Sequence, residues 1–115
     1  MDYSKQNDKT IPVKANGTIL QIFIEDITHI DNYDKLFLLY LNNESEPLVL
    51  NMTLIELENQ LKEFSFVRIN RNTIVNLRYF YKINTKGKRC FFMKNDKIMT
   101  VSRRKWCTFK EKVGK

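Results

Sequence analysis

The chain is poor in the residues that carry out chemistry. Its 115 residues include one histidine, His29, and two cysteines, Cys90 and Cys107, with no CxxC spacing. Only three glycines occur, and none belongs to a glycine-rich phosphate loop. Such a set assembles neither a nucleophile–base pair nor a metal cluster, so no enzyme, metal or cofactor is expected. His29, between Thr28 and Ile30 in strand-like sequence, reads as structural. The two thiols fall within apolar sequence and read as reduced core residues, which fits a cytoplasmic setting. Apolar runs of membrane-spanning length are missing too, and Met1-Asp2-Tyr3-Ser4-Lys5 has no signal-peptide core. A soluble, cytoplasmic chain without membrane contact is the expectation.

Acidic residues are nearly missing from one half of the chain. Residues 1–65 carry 5 Lys/Arg against 11 Asp/Glu; residues 66–115 carry 15 against 2. The formal net charge of +7 therefore hides a split from −6 to +13. So sharp a division makes a dipolar particle with one face suited to a polyanion. Hydrophobic content of 43% suits one globular domain with a core of its own. A polar tail over residues 1–10 and a folded domain over 11–115 are expected.

Short apolar runs dominate the middle of the chain. Ile19–Ile24 and Leu36–Leu41 are too short for buried helices and read as strands. Pro47–Leu50 returns as a partner of the second run across the polar turn 42–45. Arg89–Met93 and Lys97–Val101 flank Asn95-Asp96 and read as a hairpin with a two-residue connection; a further turn is expected at 85–88. Two helices interrupt the strands. Over Thr53–Phe64, Thr53 and Glu56 have capping-box spacing, and Leu54, Leu57, Leu61 and Phe64 form an apolar stripe. The other helix follows Ser102 as N-cap and packs through Trp106, Phe109 and Val113.

Two basic stretches stand out. Arg68-Ile69-Asn70-Arg71-Asn72-Thr73-Ile74-Val75-Asn76 mixes guanidinium and amide groups with apolar anchors. Forked donors on a rigid mount are what reading a duplex requires. Arg71 is the leading candidate for a base or phosphate contact. Arg68 reads equally as a contact or as a structural cation paired to an acid. Asn76 reads as a turn or cap residue, and Tyr79, Phe80 and Tyr81 as core in preference to base-stacking platforms. Asp31 and Asp34 read as turn chemistry. The second stretch, Ser102-Arg103-Arg104-Lys105, puts three cations where a helix already presents positive partial charge. That arrangement opposes stability and suits a site awaiting phosphate.

In this order, the pieces resemble the LytTR (LytR/AlgR-type) DNA-binding domain of bacterial transcription regulators, from about Ile11 to Val113. The carriers are Asp26-Ile27-Thr28-His29-Ile30-Asp31, Leu54-Ile55-Glu56-Leu57-Glu58, Phe66 to Leu77, and Val101-Ser102-Arg103-Arg104. The resemblance implies a mostly β, elongated, antiparallel multi-sheet fold with two helices, whose loops enter successive DNA grooves. By position it assigns DNA contacts to the turn around Asn32, Tyr33 and Lys35, to Asn70-Arg71-Asn72, and to Ser102-Arg103-Arg104. The family usually has His where Asn70 stands. It also implies a response-regulator output role, a receiver or sensor domain in the full-length protein, and two copies on repeated half-sites of double-stranded DNA. Two other readings remain: a β-rich RNA or single-strand binder stacking bases on Tyr33, Tyr79 and Tyr81, and an interaction module whose basic face docks an acidic partner.

Overall fold

The computed structural model describes residues 9–84 and 86–114, arranged in three antiparallel sheets and two helices. Most of the expected tail, residues 1–8, lies outside that range, and Thr10 already opens β1 (Thr10–Ala15). β1 buries Ile11, Val13 and Ala15 and pairs with β2 (Thr18–Phe23). Between them Asn16 and Gly17 take φ of +53° and +74°, the mirror-image turn that matches the natural twist of two strands.

A five-stranded sheet forms the centre. It contains β3 (Ile27–Tyr33), β4 (Leu36–Leu41), β5 (Leu48–Leu50), β6 (Phe66–Asn70) and β7 (Thr73–Asn76), in the order β5-β4-β3-β7-β6. The expected return of β5 along β4 is present, with Phe37 opposite Leu50. Between β5 and β6 lies α1 (Leu54–Leu61), closed at its start by the reciprocal bonds of Thr53 and Glu56. Leu54, Leu57 and Leu61 are its buried stripe.

A three-stranded sheet, β10-β9-β8, follows from β8 (Phe80–Asn84), β9 (Cys90–Met93) and β10 (Ile98–Thr100), and α2 (Arg103–Val113) ends the chain. The β9–β10 connection holds three residues, not two. Asp96 N–H donates to the Met93 carbonyl and Met93 N–H to that of Lys97, while Asp96 takes φ +70°. That left-handed third residue is what a three-residue hairpin loop uses. In the expected turn 85–88, Thr85 lies outside the described residues and Gly87 has φ +86°.

Two cores result. Ile11, Val13, Ile27, Ile30, Leu39, Leu57, Leu61 and Ile74 fill the first; Ile69, Val75, Phe91, Met93, Val101 and Phe109 fill the second. Every residue of β7 is buried, and its neighbours Ile74 and Val75 serve different cores. Side chains alternate across a strand, so β7 is buried from end to end, its polar Thr73 and Asn76 included, because both its faces are covered. The mostly β, antiparallel multi-sheet fold with two helices is as expected, and the molecule is a slab of 43 × 39 × 25 Å.

Three assignments change. Both thiols are free, but Cys107 is exposed on α2 and only Cys90 is half-buried. Tyr81 is exposed, whereas Phe80 packs on Phe91 and Tyr79 donates its hydroxyl to the Glu25 carbonyl at 2.5 Å. Asp31 sits within β3 and accepts the Thr73 hydroxyl at 2.6 Å, so only Asp34 serves the turn. Asn76 caps as expected, its Oδ1 accepting from Arg78 N–H, and its Nδ2 also donates to Ile27 across the sheet.

His29 is buried and stacked on Tyr40, with ring centroids 4.2 Å apart. Thr28 gives its hydroxyl proton to the Tyr40 carbonyl and stands 2.9 Å from His29 Nδ1. His29 Nε2 has no partner among the described residues. Burial first, and the Lys97 ammonium second, lower its pKa to about 4. Among the described residues no cluster of His, Cys, Asp or Glu could hold a metal, and no helix is long and apolar enough to cross a membrane.

Candidate nucleic-acid interface

Three loops meet at one end of the slab, held by main-chain hydrogen bonds. The β3–β4 turn is fixed to the β6–β7 turn where Asn32 N–H donates to the Asn72 carbonyl at 2.7 Å. The β6–β7 turn is fixed in turn to the start of α2, where Ser102 N–H donates to the Ile69 carbonyl at 2.8 Å. The residues singled out in all three stretches are thus brought together on one laced platform. Preorganised placement of this kind spares a ligand the entropy of ordering loops.

The β6–β7 turn is built by its own side chains. Asn70 Oδ1 accepts Asn72 N–H at 2.8 Å, and Asn70 Nδ2 donates to the Thr100 carbonyl at 3.0 Å. Arg68 donates to the carbonyls of Asn70 at 3.3 Å and Arg71 at 2.6 Å, and pairs with Glu58 of α1 at 3.3 Å. The geometry favours Arg68 as a structural cation, and the Asn70 amide is committed within the protein. Arg71 and Asn72 are left exposed at the tip. In the sequence Glu58 stands out only within the Leu54–Glu58 stretch; nothing in its spacing announces the bridge to Arg68.

At the β3–β4 tip, Asp34 and Lys35 have φ of +53° and +67°, another mirror-image turn but made without glycine. A side chain in the left-handed region is strained, and here the strain places Lys35 in solvent. Tyr33 is 69% exposed beside it, while Asn32 is half-buried.

Ser102 occupies the N-cap of α2, but its side chain makes no capping bond. The first turn holds no acid, and Arg103 and Arg104 are exposed with Lys105 half-buried. Among the described residues, no ion pair or hydrogen bond engages the side chains of Arg71, Arg103 or Arg104. Arg68, Asn70, Arg71, Ser102, Arg104 and Lys105, with Glu58 already bonded to Arg68, line one concavity of about 670 Å³ between the turn and the helix start. Free helix N–H groups, unpaired guanidinium groups and a concave wall form an anion-binding surface.

A family model described as the LytTr DNA-binding domain matches residues 17–114. No curated protein matches the chain. Among solved structures, it is similar to the LytTr DNA-binding domain of a protein described as a methyl-accepting/DNA response regulator from Bacillus cereus. The TM-score is 0.74 at 21% identity, covering 93% of this chain and 98% of that one. At that identity the likeness speaks to the fold.

Proposed function

The chain belongs to the LytTR family of DNA-binding domains, which implies DNA binding and transcription regulation, and from that premise we propose that it recognises specific duplex sequences as the output domain of a bacterial response regulator. The observation that carries this reading is the laced platform: three loops fixed to one another, two of which present arginines that no acid engages among the described residues. Arg103, Arg104 and Lys105 grip phosphate at the helix start. Arg71 and Asn72 reach base edges from the hairpin tip, and Lys35 and Tyr33 meet the adjoining groove. Arg68 and Asn70 hold the tip in place. A receiver or sensor domain on the full-length protein, two copies on repeated half-sites, and a cytoplasmic setting complete the proposal.

Affinity measured against salt tests it. With about five to seven phosphates engaged, log affinity should fall with log salt at a slope of about −4 to −6. Selection from random duplexes should enrich a defined site. A flat salt response, or no enrichment, rejects the reading.

A single-strand binder has one observation in its favour. Tyr81 is 60% exposed, and Lys82 lies over both its ring and that of Phe92 on the outer side of the three-stranded sheet. Tyr81→Ala would then weaken binding to oligonucleotides, with single strands preferred over duplex.

A further inference from the structure

A groove of about 450 Å³ runs between α1 and α2. Half-buried Phe66 and Val67, backed by the buried Leu61 and Phe109, supply its apolar side, and Lys62, Arg68, Arg104, Lys105 and Lys112 its cationic rim. The acid among its lining residues, Glu58, is already bonded to Arg68. We propose that this groove docks an acidic amphipathic helical segment of a partner protein, and that the docked segment competes with duplex DNA.

Charge and spacing together select that occupant. With Arg68 and Glu58 offsetting each other, four further cations, Lys62, Arg104, Lys105 and Lys112, call for an anion. Phosphate backbone would satisfy the rim but leave the apolar side uncovered. A small carboxylate could cover the apolar side but not reach the whole rim. Arg104, Lys105, Thr108 and Lys112 lie along one face of α2, and the nine residues from Arg104 to Lys112 span about 12 Å. Two turns of a helix, with apolar residues facing inward and Glu or Asp on its flanks, match both the length and the polarity. Arg104 and Lys105, with the Glu58-bonded Arg68, also line the concavity beside the Arg71 turn, so these cations serve both surfaces. The competitive half of the proposal rests on the DNA-binding reading; the docking half does not.

The test uses the full chain and a synthetic helical peptide of about 14 residues, with Leu and Phe on one face and Glu on the flanks. A second peptide replaces every Glu by Gln. Titration into isotopically labelled protein without DNA should shift the amides of Leu61, Phe66, Val67 and Lys112. The Gln peptide should bind at least about tenfold more weakly. Lys62→Gln with Lys112→Gln, both exposed and outside the DNA platform, should reduce peptide affinity about fivefold or more. Duplex affinity of that variant should change by less than about threefold. The Glu peptide should also displace a labelled duplex. Equal binding of the two peptides, or binding indifferent to the double substitution, overturns the docking proposal. Docking without displacement overturns the competition. If no duplex binds at all, the DNA reading fails, and the DNA-free titration still decides the groove.

Discussion

The guanidinium of Arg68 donates to the backbone carbonyl of Arg71 at 2.6 Å, so one arginine holds the turn from which the other projects. Their substitutions should therefore separate. Arg68→Ala releases Glu58 and two turn carbonyls and should lower stability by about 1 kcal/mol, with affinity falling on every sequence. Arg71→Ala should leave the thermal midpoint unchanged and remove roughly 1–3 kcal/mol of discrimination between a selected and a scrambled duplex. Thermal melts and two affinities per variant check this. A midpoint that drops equally in both would mean that Arg71 is also structural.

Asn70→Ala should behave as Arg68→Ala does. Removing the amide frees Asn72 N–H and the Thr100 carbonyl, at a loss of about 1 kcal/mol. Affinity should fall alike for selected and scrambled duplexes. If only the selected site suffers, Asn70 reads a base despite its bonds within the turn.

Arg103→Ala with Arg104→Ala should weaken binding to all sequences while the fold holds or gains slightly. Both cations oppose the dipole of α2 and find no acid in its first turn. Midpoint and affinity are measured together, and a shallower salt slope should accompany the loss. Lower stability at unchanged affinity contradicts the phosphate role.

Lys35→Gly should stabilise the protein by about 0.5–1 kcal/mol, because glycine adopts φ +67° without a Cβ clash while giving up some chain entropy. The same change should reduce duplex affinity. A Lys35→Gly protein that binds as tightly as the parent would show that this tip stays away from DNA.

His29 sets an acid limb on stability. Its folded pKa of about 4 lies below the ordinary 6.5, so the unfolded chain binds the extra proton. Its contribution is complete above pH 6.5 and falls away as pH drops towards 4, by about 3 kcal/mol in all. His29→Phe keeps a ring against Tyr40 and should flatten the fall in midpoint between pH 6.5 and 4.5. An unchanged slope in that window would assign the acid limb to other groups.

Much of the fold was legible in the residues, for identifiable reasons. α1 announced itself through a local capping box and stripe, and β4 and β9 through short apolar runs. β1 was passed over although Asn16-Gly17 and the alternation of Ile11, Val13 and Ala15 mark it, because Pro12 and Lys14 dilute the apolar pattern. For the platform, the sequence located the cations but not their duties. Arg68 and Arg71 are alike as letters; only the turn, with Glu58 ten residues before Arg68, separates the clamp from the exposed side chain. Asn70 resembles a base reader until the Thr100 carbonyl, thirty residues on, takes its amide.

The burial of β7 on both faces has a consequence for how the molecule opens. Ile74 belongs to one core and Val75 to the other, and Thr73, which precedes them, leads directly from the Arg71 tip. Neither core can come apart by itself without pulling at the same short strand, so the two halves should melt in one transition. In native-state exchange the amides of β7 should be released last, at the free energy of global unfolding. The tip then rests on the least fluctuating segment of the chain: its aim is set by the slowest motion the protein has.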